Sequence, residues 1–539
     1  MQLLLITILG LLLRLIGINK LEGLWNDEYV SWMIASTSFS DGFVSAMKAQ
    51  CHMPFYYLYL KMCMAWGGQS DLFLRITSLI PGVLSVIVMY FVGLQKDKKT
   101  AIYASLLTAI SSFLIYYSQE VRLYSLLFLF SALSLLYFLR FLKNKNLTNL
   151  GGLILADFLI LFTHTIGFVF VFFQILALSV LIFKEYKKQI IILWISLLSL
   201  GGVLLPFVLN IFGTKSFSQW WGHFTLSKIG FLFTDYFSPV LTNLVNAPDK
   251  LFYNPNLGAI CLTFITPIIA IYFIYKAIHK NKQNITLFSV FIGTVTVLAI
   301  AAIMGKLVFI TKYSIEIYPI LLFLAAYGAS SFKKQYIEIA LVSIFCIINL
   351  LYLVLSPSSA PRMPRNEGHK IVADLLENAK PLEGDYILTE YYNQDRFKKY
   401  FDFDKYNVVS IAKGNFPEYL SNDYDYAQIY SNGKTLYKPL FAEERRGYLE
   451  YRLKTEILDK LEQGKSVFVI TNNSVALYPQ DIMERIAGDE YSYEKIPIMF
   501  LIFSYINNHT TNYFAQNLSV TRIERKGDWS IIKFTKFNK

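Results

Sequence analysis

Two adjacent carboxylates, Asp27 and Glu28, follow the first apolar stretch of the sequence. A carboxylate in this position can take a proton from a hydroxyl group and so make its oxygen a better nucleophile. The same pair could equally be an ordinary acidic loop at a membrane interface. Trp25 and Tyr29 flank the pair with aromatic rings that favour such interfaces. The pair is therefore the first candidate for a catalytic group.

Other polar residues lie at the ends of apolar segments that are expected on the same side of a membrane. They are His52, Arg75, Glu120, Arg122, Tyr124, His164, His223, Lys312 and Tyr313. Each alone is as well explained by a structural role, since arginine and lysine often extend from helix ends towards water. Together they predict an outward-facing cavity with carboxylates, cations and aromatic rings at one depth.

The elements that must position these residues are membrane helices. Hydrophobic residues make up 55% of the 539-residue chain and charged residues only 16%, whereas soluble domains carry about 25% charged residues. A spanning helix needs about 20 mainly apolar residues. Eleven segments fit: 1–18, 72–94, 101–118, 123–142, 150–163, 165–183, 189–211, 256–275, 285–303, 314–332 and 337–355. The first contains Arg14 and no small-residue cleavage site, so we expect it to be an uncleaved span.

Lysine and arginine cluster in every second connection between these segments, at 96–99, 140–145, 184–188, 276–282 and 333–334. By the positive-inside rule these connections are cytoplasmic, and those that carry the candidate site lie outside. The formal net charge of +12 is therefore explained by topology, and nucleic acid is not expected as a partner. The part of the chain after the last span is also expected outside the cytoplasm.

The composition changes after residue 355. Pro357, Pro361 and Pro364 mark a linker. Apolar runs at 385–389, 407–411 and 466–471 predict strands, helical stretches such as 443–463 lie between them, and 518–524 with 529–534 predict a hairpin. We expect a polytopic α-helical membrane domain at 1–355, with the catalytic site, and an extracytoplasmic α/β domain at 356–539.

The order of motifs in the membrane part resembles a known family. Asp-Glu after the first span is followed by His-x-Pro-x-Tyr-Tyr at 52–57, LFLRITSLIP at 72–81, YSQEVRLY at 117–124, and Lys-Tyr at 312–313. This order resembles the bacterial branch of the protein O-mannosyltransferase family, which belongs to the GT-C membrane glycosyltransferases. The lipid A aminoarabinose transferases are relatives. The resemblance covers residues 1–330.

The resemblance implies a multi-pass enzyme of the bacterial plasma (inner) membrane. Such an enzyme transfers a hexosyl or pentosyl group, with inversion, from a polyprenyl-phosphate donor in the lipid bilayer. The acceptor, a glycolipid, a polysaccharide or a protein, lies outside the cytoplasm. Asp27 would be the general base, because the acceptor hydroxyl must lose its proton as the new bond forms. Glu28 would orient the acceptor or Asp27.

The resemblance also implies where the donor phosphate binds. Arg122 and Lys312 would stabilise the charge that grows on the leaving phosphate, with Tyr313 beside them and Arg75 behind them. The family often has arginine where this chain has Lys312. Lysine offers a point charge instead of a two-pronged contact, so the phosphate would be held less rigidly.

A divalent metal and two other functions stay open from the sequence. His52, His223 and Glu28 could hold zinc or manganese, which bind imidazole and carboxylate. A transporter or flippase of lipid-linked sugars would also have many spans, but it predicts polar groups or broken helices near the middle of the membrane. An oligosaccharide polymerase or ligase would be expected to lack both the Asp-Glu pair and so large a C-terminal domain.

Overall fold

The structure is a computed structural model of the 539-residue chain. It describes residues 1–18, 23–49, 53–213, 224–238, 257–304, 307, 309–355, 369–389, 399–410, 450–451, 453–472, 511–526 and 529–536. The chain divides into two compact units: Met1–Lys20 with Asp27–Arg365, and Leu21–Asn26 with Asn366–Lys539. The predicted domain boundary at 355/356 stays a prediction, since 356–368 lie outside the described residues.

The first unit is helical in the residues described. Its helices up to residue 213 are α1 (Gln2–Leu15), α2 (Asn26–Ser36), α3 (Phe43–Ala49), α4 (Pro54–Gly67), α5 (Asp71–Gly93), α6 (Lys98–Ile110), α7 (Ser112–Tyr117), α8 (Tyr124–Lys143), α9 (Leu147–Thr163), α10 (Gly167–Ile182) and α11 (Lys187–Gly213). The later ones are α12 (Ser227–Phe237), α13 (Leu257–Ile278), α14 (Lys282–Ile303), the 3-10 helix Thr311–Ile317, α15 (Tyr318–Ser330) and α16 (Gln335–Leu355).

A helix lies in each of the eleven segments that were predicted to cross the bilayer. Within the described residues, five helical segments are long and apolar enough to cross by length and composition: Asp71–Gly93, Tyr124–Lys143, Lys187–Phe207, Lys282–Ile303 and Thr311–Ser330. Five shorter apolar helices accompany them. The polytopic helical architecture is therefore confirmed, and the count of eleven spans stays a prediction.

The segment 101–118 differs from the expected single span, because it breaks between α6 and α7. Ser111 leaves the helical conformation, and its hydroxyl accepts a hydrogen bond from the Leu114 amide at 3.4 Å. A serine side chain often starts a new helix in this way. Hydropathy does not register the break, since the apolar run continues on both sides of it.

Helices also fill the predicted outward connections. α2, α3 and α4 lie between the predicted spans 1–18 and 72–94, and α12 lies between the predicted spans 189–211 and 256–275. They are short, and Pro54 occupies the first turn of α4, where proline favours a helix start. Hydropathy finds only helices long enough to span a bilayer, so these four were not expected.

Close backbone contacts hold the bundle together. Gly328 on α15 packs directly on α13, where a Cβ atom would overlap the Phe273 carbonyl. Gly93 on α5 packs in the same way against Ala101 of α6. Small residues allow such approach between membrane helices. α8 and the segment Thr311–Ser330 are the most buried of the long spans, whereas α11 is largely exposed. The site residues on the buried spans therefore have a rigid setting.

The second unit contains a five-stranded sheet. Its elements are α17 (His369–Ala379), β1 (Tyr386–Thr389), β2 (Asn407–Ser410), β3 (Ser466–Asn472), β4 (Ser519–Lys526) and β5 (Trp529–Thr535). The strand order is β2-β1-β3-β5-β4, with β2, β1 and β3 parallel and β5 antiparallel to β3 and β4. The three predicted strands and the predicted hairpin are therefore confirmed. Residues 443–449 of the predicted helical stretch lie outside the described residues.

Both faces of this sheet are buried at its inner strands β1, β3 and β5. Ile387, Phe468 and Ile531 pack with α17 on one face, whereas Leu388 and Val467 point to the other. Strands covered on both sides have continuous apolar runs, which is why they were visible in the sequence. The segment Leu21–Asn26 belongs to this unit, and the Leu24 amide donates to the Tyr400 hydroxyl at 2.8 Å.

Candidate active site

The N-terminal turn of α2 places Asp27 and Glu28 in different surroundings. Glu28 is fully buried, whereas the Asp27 side chain keeps 27% of its surface exposed. Successive residues of a helix point about 100° apart, so two adjacent carboxylates cannot face the same partner. The pair that looked like one unit in the sequence therefore has two separate roles in the structure.

Glu28 forms a buried ion pair with Arg75 of α5. The Arg75 Nε and Nη2 atoms donate to the two carboxylate oxygens at 3.3 and 3.0 Å, and the Val121 amide donates to Oε1 at 3.0 Å. The side chains of Glu28 and Arg75 are 1% and 0% exposed. This geometry joins α2, α5 and the segment before α8. It favours a positioning role for Arg75 over direct contact with a phosphate.

Asp27 lies between two cations. Its Oδ2 atom is 3.2 Å from the Lys312 Nζ atom and 3.8 Å from the Arg122 Nη2 atom. Arg122 also donates through Nη1 to the Asp27 carbonyl oxygen at 3.2 Å. Burial lowers the pKa of the Arg122 guanidinium, but Asp27, with smaller contributions from Tyr124, Tyr57 and Glu120, outweighs this and holds that pKa above its usual value. The cluster therefore carries one more positive than negative charge among these three groups.

Aromatic rings line the cluster. The Tyr124 centroid is 5.8 Å from the Arg122 Cζ atom and 5.5 Å from the Lys312 Nζ atom, and the Tyr313 centroid is 5.7 Å from the same Nζ. A cation over a ring is attracted to its negative face. The predicted group of Asp27, Arg122, Lys312, Tyr124 and Tyr313 is thus brought together in the structure.

The segment that carries Arg122 is fixed at the end of α1. The Gln119 side-chain amide donates to the carbonyl oxygens of Arg14 and Ile16 at 2.6 and 3.1 Å. Glu120 is buried beside it and accepts from the Tyr116 hydroxyl at 3.4 Å. Carbonyls at a helix end need such outside donors. The run of polar residues at 119–122 is therefore anchored and not a solvated loop.

Arg14 supports the same segment from within the first span. Its guanidinium is fully buried and donates to the Thr108, Ala109 and Gly10 carbonyl oxygens and to the Ser118 hydroxyl, at 3.0–3.1 Å. The break after α6 leaves the Thr108 and Ala109 carbonyls without helical partners. The sequence marked Arg14 as unusual but did not indicate this function.

Lys312 is carried by a 3-10 helix that α12 supports. The Thr311 hydroxyl donates to the Asp235 carboxylate at 2.5 Å, and the Tyr236 hydroxyl donates to the Ser314 carbonyl at 2.7 Å. Asp235 and Tyr236 are both buried. No motif pointed to either residue, because α12 lies in a connection where the sequence predicted no helix. These contacts fix the backbone on which the Lys312 ammonium is mounted.

His164 ends α9 at the predicted break and pairs with a residue that the sequence did not single out. Its Nδ1 atom lies 2.6 Å from the Glu316 carboxylate, and its ring centroid is 6.0 Å from that of Tyr313. Glu316 is on the same 3-10 helix as Lys312. The pair therefore adjoins the Asp27 cluster through the Tyr313 ring.

The proposed metal ligands are only partly visible. His52 and His223 lie outside the described residues. Within the part of the chain that the structure describes, no group of three or more His, Cys, Asp or Glu side chains could hold a metal ion. Glu28 would have to give up its ion pair with Arg75 to serve as a ligand, which is costly for a buried carboxylate. Its surroundings do not fit a metal ligand.

Comparison with solved structures identifies proteins of similar fold. No protein-family model and no curated protein matches this sequence. The Archaeoglobus fulgidus oligosaccharyltransferase in complex with Zn and sulfate has a TM-score of 0.52 at 13% identity, covering 91% of this chain and 70% of that chain. ArnT from Cupriavidus metallidurans has a TM-score of 0.52 at 11% identity in the apo state, covering 98% of this chain and 97% of that chain.

ArnT bound to undecaprenyl phosphate is similar to the same extent, with a TM-score of 0.51 at 12% identity, covering 98% of this chain and 97% of that chain. The matches to ArnT extend over nearly the whole length of both chains, so they include both units. ArnT and the oligosaccharyltransferase are both GT-C enzymes, which confirms the fold that the motifs implied. This chain therefore has the fold of the GT-C membrane glycosyltransferases.

Proposed function

We propose that this protein is an inverting glycosyltransferase of the bacterial inner membrane. It moves a sugar from a polyprenyl-phosphate donor to an acceptor outside the cytoplasm. The observation that supports this proposal is a partly exposed carboxylate, Asp27, beside two cations and two aromatic rings. The same fold is found in ArnT crystallised with undecaprenyl phosphate.

Arg122 and Lys312 are the proposed phosphate ligands. Both bind Asp27 in the structure, and the donor phosphodiester, with one negative charge on two free oxygens, competes with that carboxylate for them. The Arg122 Nε atom is buried and has no hydrogen-bond partner among the described residues, so one donor is still available. In the transition state these cations stabilise the phosphate as it leaves the sugar.

Asp27 is the proposed base in a single displacement. The acceptor oxygen attacks the anomeric carbon on the face opposite the phosphate. The new C–O bond forms as the bond to the phosphate oxygen breaks, and the acceptor proton passes to Asp27. Before the donor binds, Lys312 and Arg122 stabilise the charge of the Asp27 carboxylate. Once the donor phosphate occupies Arg122 and Lys312, Asp27 loses part of this stabilisation and accepts the proton more readily.

The bilayer and the acceptor complete the proposed set of partners. The polyprenyl tail would lie among the apolar helices, whose exposed faces are rich in leucine and isoleucine. A glycolipid, a polysaccharide or a protein can each offer a hydroxyl to Asp27, and the transferred group can be a hexose or a pentose. The C-terminal unit is proposed to lie outside the cytoplasm, on the same side as the site.

A transporter or flippase is the second candidate, and one observation favours it. Asp157 is buried in α9, where the Ser134 hydroxyl of α8 donates to it at 2.6 Å and Gln174 of α10 donates to Ser134 at 2.8 Å. Buried polar groups within spans often mark a transport path. These three side chains bind one another, however, which also explains them as links between helices. Transfer of radiolabelled sugar by purified enzyme, against lipid movement in proteoliposomes, separates the two functions.

Removal of either phosphate ligand should reduce turnover strongly. Arg122→Ala and Lys312→Ala each remove a positive charge that faces the leaving group, so we expect losses of about 10²–10³-fold. The measurement is transfer from a polyprenyl-phosphate sugar by purified enzyme in nanodiscs. Lys312→Arg keeps the charge and should retain most activity, and Lys98→Ala, at an exposed lysine away from the site, should match the parent. Near-normal turnover of both alanine variants would contradict the assignment.

Chelation should leave transfer intact. Both oxygens of Glu28 accept hydrogen bonds from Arg75 or Val121, so this carboxylate is not available to a cation. We expect the purified enzyme to keep its turnover after exhaustive dialysis against EDTA. The oligosaccharyltransferase with the same fold was crystallised with Zn, which makes the experiment informative. Loss of activity that added zinc or manganese restores would show a metal site elsewhere, with His52 and His223 as the first residues to test.

A further inference from the structure

The strongest feature outside the Asp27 cluster is the pair of His164 and Glu316. The two residues come from different parts of the chain, since His164 ends α9 and Glu316 lies on the 3-10 helix Thr311–Ile317. Their side chains meet at 2.6 Å, and that of Glu316 is only 1% exposed. Burying a carboxylate costs free energy unless the charge is paired and hydrogen-bonded. The proposed mechanism makes no use of this one.

The pair adjoins the phosphate ligands through a shared aromatic ring. The Tyr313 centroid is 5.7 Å from the Lys312 ammonium and 6.0 Å from the His164 ring. The imidazole and the ammonium therefore both contact the Tyr313 ring. A phosphate bound at Lys312 and the His164 imidazole would therefore have the Tyr313 ring as a common neighbour.

Both members of the pair have unused hydrogen-bonding capacity. The Glu316 Oε2 atom is buried without a partner among the described residues. The His164 hydrogen bond runs through Nδ1, and its ring is still 14% exposed. With Nδ1–H donating to Glu316, the Nε2 atom of a neutral imidazole is an acceptor, and it becomes a donor when the ring is charged. The pair therefore offers an acceptor and an adaptable nitrogen beside an aromatic face.

These groups fit sugar hydroxyls better than a phosphate. A hydroxyl both donates and accepts, so it can satisfy a carboxylate oxygen and a ring nitrogen at once. A phosphate only accepts, and the Glu316 carboxylate would repel it. The donor phosphate carries two groups, the sugar and the polyprenyl chain. The chain has no polar groups to bind, which leaves the sugar.

We propose that His164 and Glu316, with the ring of Tyr313, recognise the hydroxyl groups of the transferred sugar. This assignment rests on the proposed function and adds to it the residues that choose the sugar. Glu316 orients the imidazole through Nδ1 and contributes its second oxygen. His164 contacts the sugar through Nε2. Neither residue takes part in the displacement itself.

The test compares binding of the lipid phosphate with binding of the same lipid carrying a sugar. The ligands are undecaprenyl phosphate and undecaprenyl-phosphate mannose, glucose, galactose and arabinose, titrated against purified enzyme in nanodiscs. The parent should bind at least one sugar-bearing lipid more tightly than undecaprenyl phosphate. His164→Gln and Glu316→Gln should each weaken that binding by about tenfold, as expected for one hydrogen bond to a buried group. Their affinity for undecaprenyl phosphate should stay that of the parent.

The controls separate recognition from structure. Glu316→Gln keeps the size of the side chain and an acceptor for Nδ1–H, so it should fold even if His164→Gln does not. His279→Gln, at an exposed histidine directly after α13, should bind every ligand as the parent does.

The contrary outcomes are distinct. Equal weakening for all ligands, no change for any, or a parent that prefers no sugar-bearing lipid would overturn the sugar assignment alone. A parent that does not bind undecaprenyl phosphate at all would overturn the proposed function, and the sugar assignment with it.

Discussion

Asp27→Asn is expected to lower sugar transfer by about 10²–10⁴-fold, the usual contribution of a general base. Asparagine has nearly the same size and can still accept a hydrogen bond from Lys312, but it cannot take up the acceptor proton. The change also removes the negative charge that Lys312 and Arg122 contact in the structure. Donor phosphate then has no competitor for these cations, so its affinity should be equal to the parent's or higher.

The measurement is turnover of purified Asp27→Asn enzyme with a polyprenyl-phosphate sugar, together with a titration of undecaprenyl phosphate. Asp41→Asn makes the same change at an exposed carboxylate of the connection between α2 and α3, and should leave both quantities unchanged. Weaker donor binding as the only effect would show that Asp27 organises the cations and is not the base. Parental turnover would exclude both roles.

Arg75→Met should destabilise the folded protein by about 3–5 kcal/mol, because it leaves the buried Glu28 carboxylate without its partner. Glu28→Gln should be similarly harmful, since it leaves a buried guanidinium uncompensated. The double variant replaces both charges and should recover much of the stability. The midpoint of thermal or denaturant unfolding in detergent, with the yield of monodisperse protein, measures these effects.

An exposed ion pair provides the matched control. Arg522 and Glu524 on β4 have side chains that are 47% and 26% exposed, so Glu524→Gln should change stability by no more than about 1 kcal/mol. A Glu28→Gln enzyme with parental stability and no activity would contradict the positioning role and place Glu28 at the reacting groups. Unchanged stability and activity would mean that the buried pair has neither function.

The sequence was sufficient for features that depend on local composition. Long apolar runs locate the membrane helices because each must bury about 20 residues in lipid, and the runs at 385–389 and 466–471 match β1 and β3. The break at Ser111 and the helices α2, α3, α4 and α12 were not predictable in this way. They depend on serine and proline positions and on packing against neighbours, which a hydropathy window averages out.

The sequence predicted which residues belong to the site, but not which of them pair with one another. Spacing and type indicated Asp27, Arg122 and Lys312, and the structure brings these three together. Glu28 and Arg75 are 47 residues apart, and His164 and Glu316 are 152 apart. Nothing local marks such pairs, because each forms only when separate helices pack. A charged residue inside an apolar run was the available signal, and it was present for Arg75 and for Glu316.

Arg14 places a constraint on how this protein is made. Its guanidinium sits in the first span, yet the Thr108, Ala109 and Ser118 atoms that it binds belong to α6 and the segment after α7. An arginine in lipid without such partners is costly. The first helix is therefore less stable in the bilayer alone than when it is packed against these partners. These partners are made about a hundred residues after Arg14. The first helix therefore gains its full stability in the membrane only once residues 108–118 are inserted beside it.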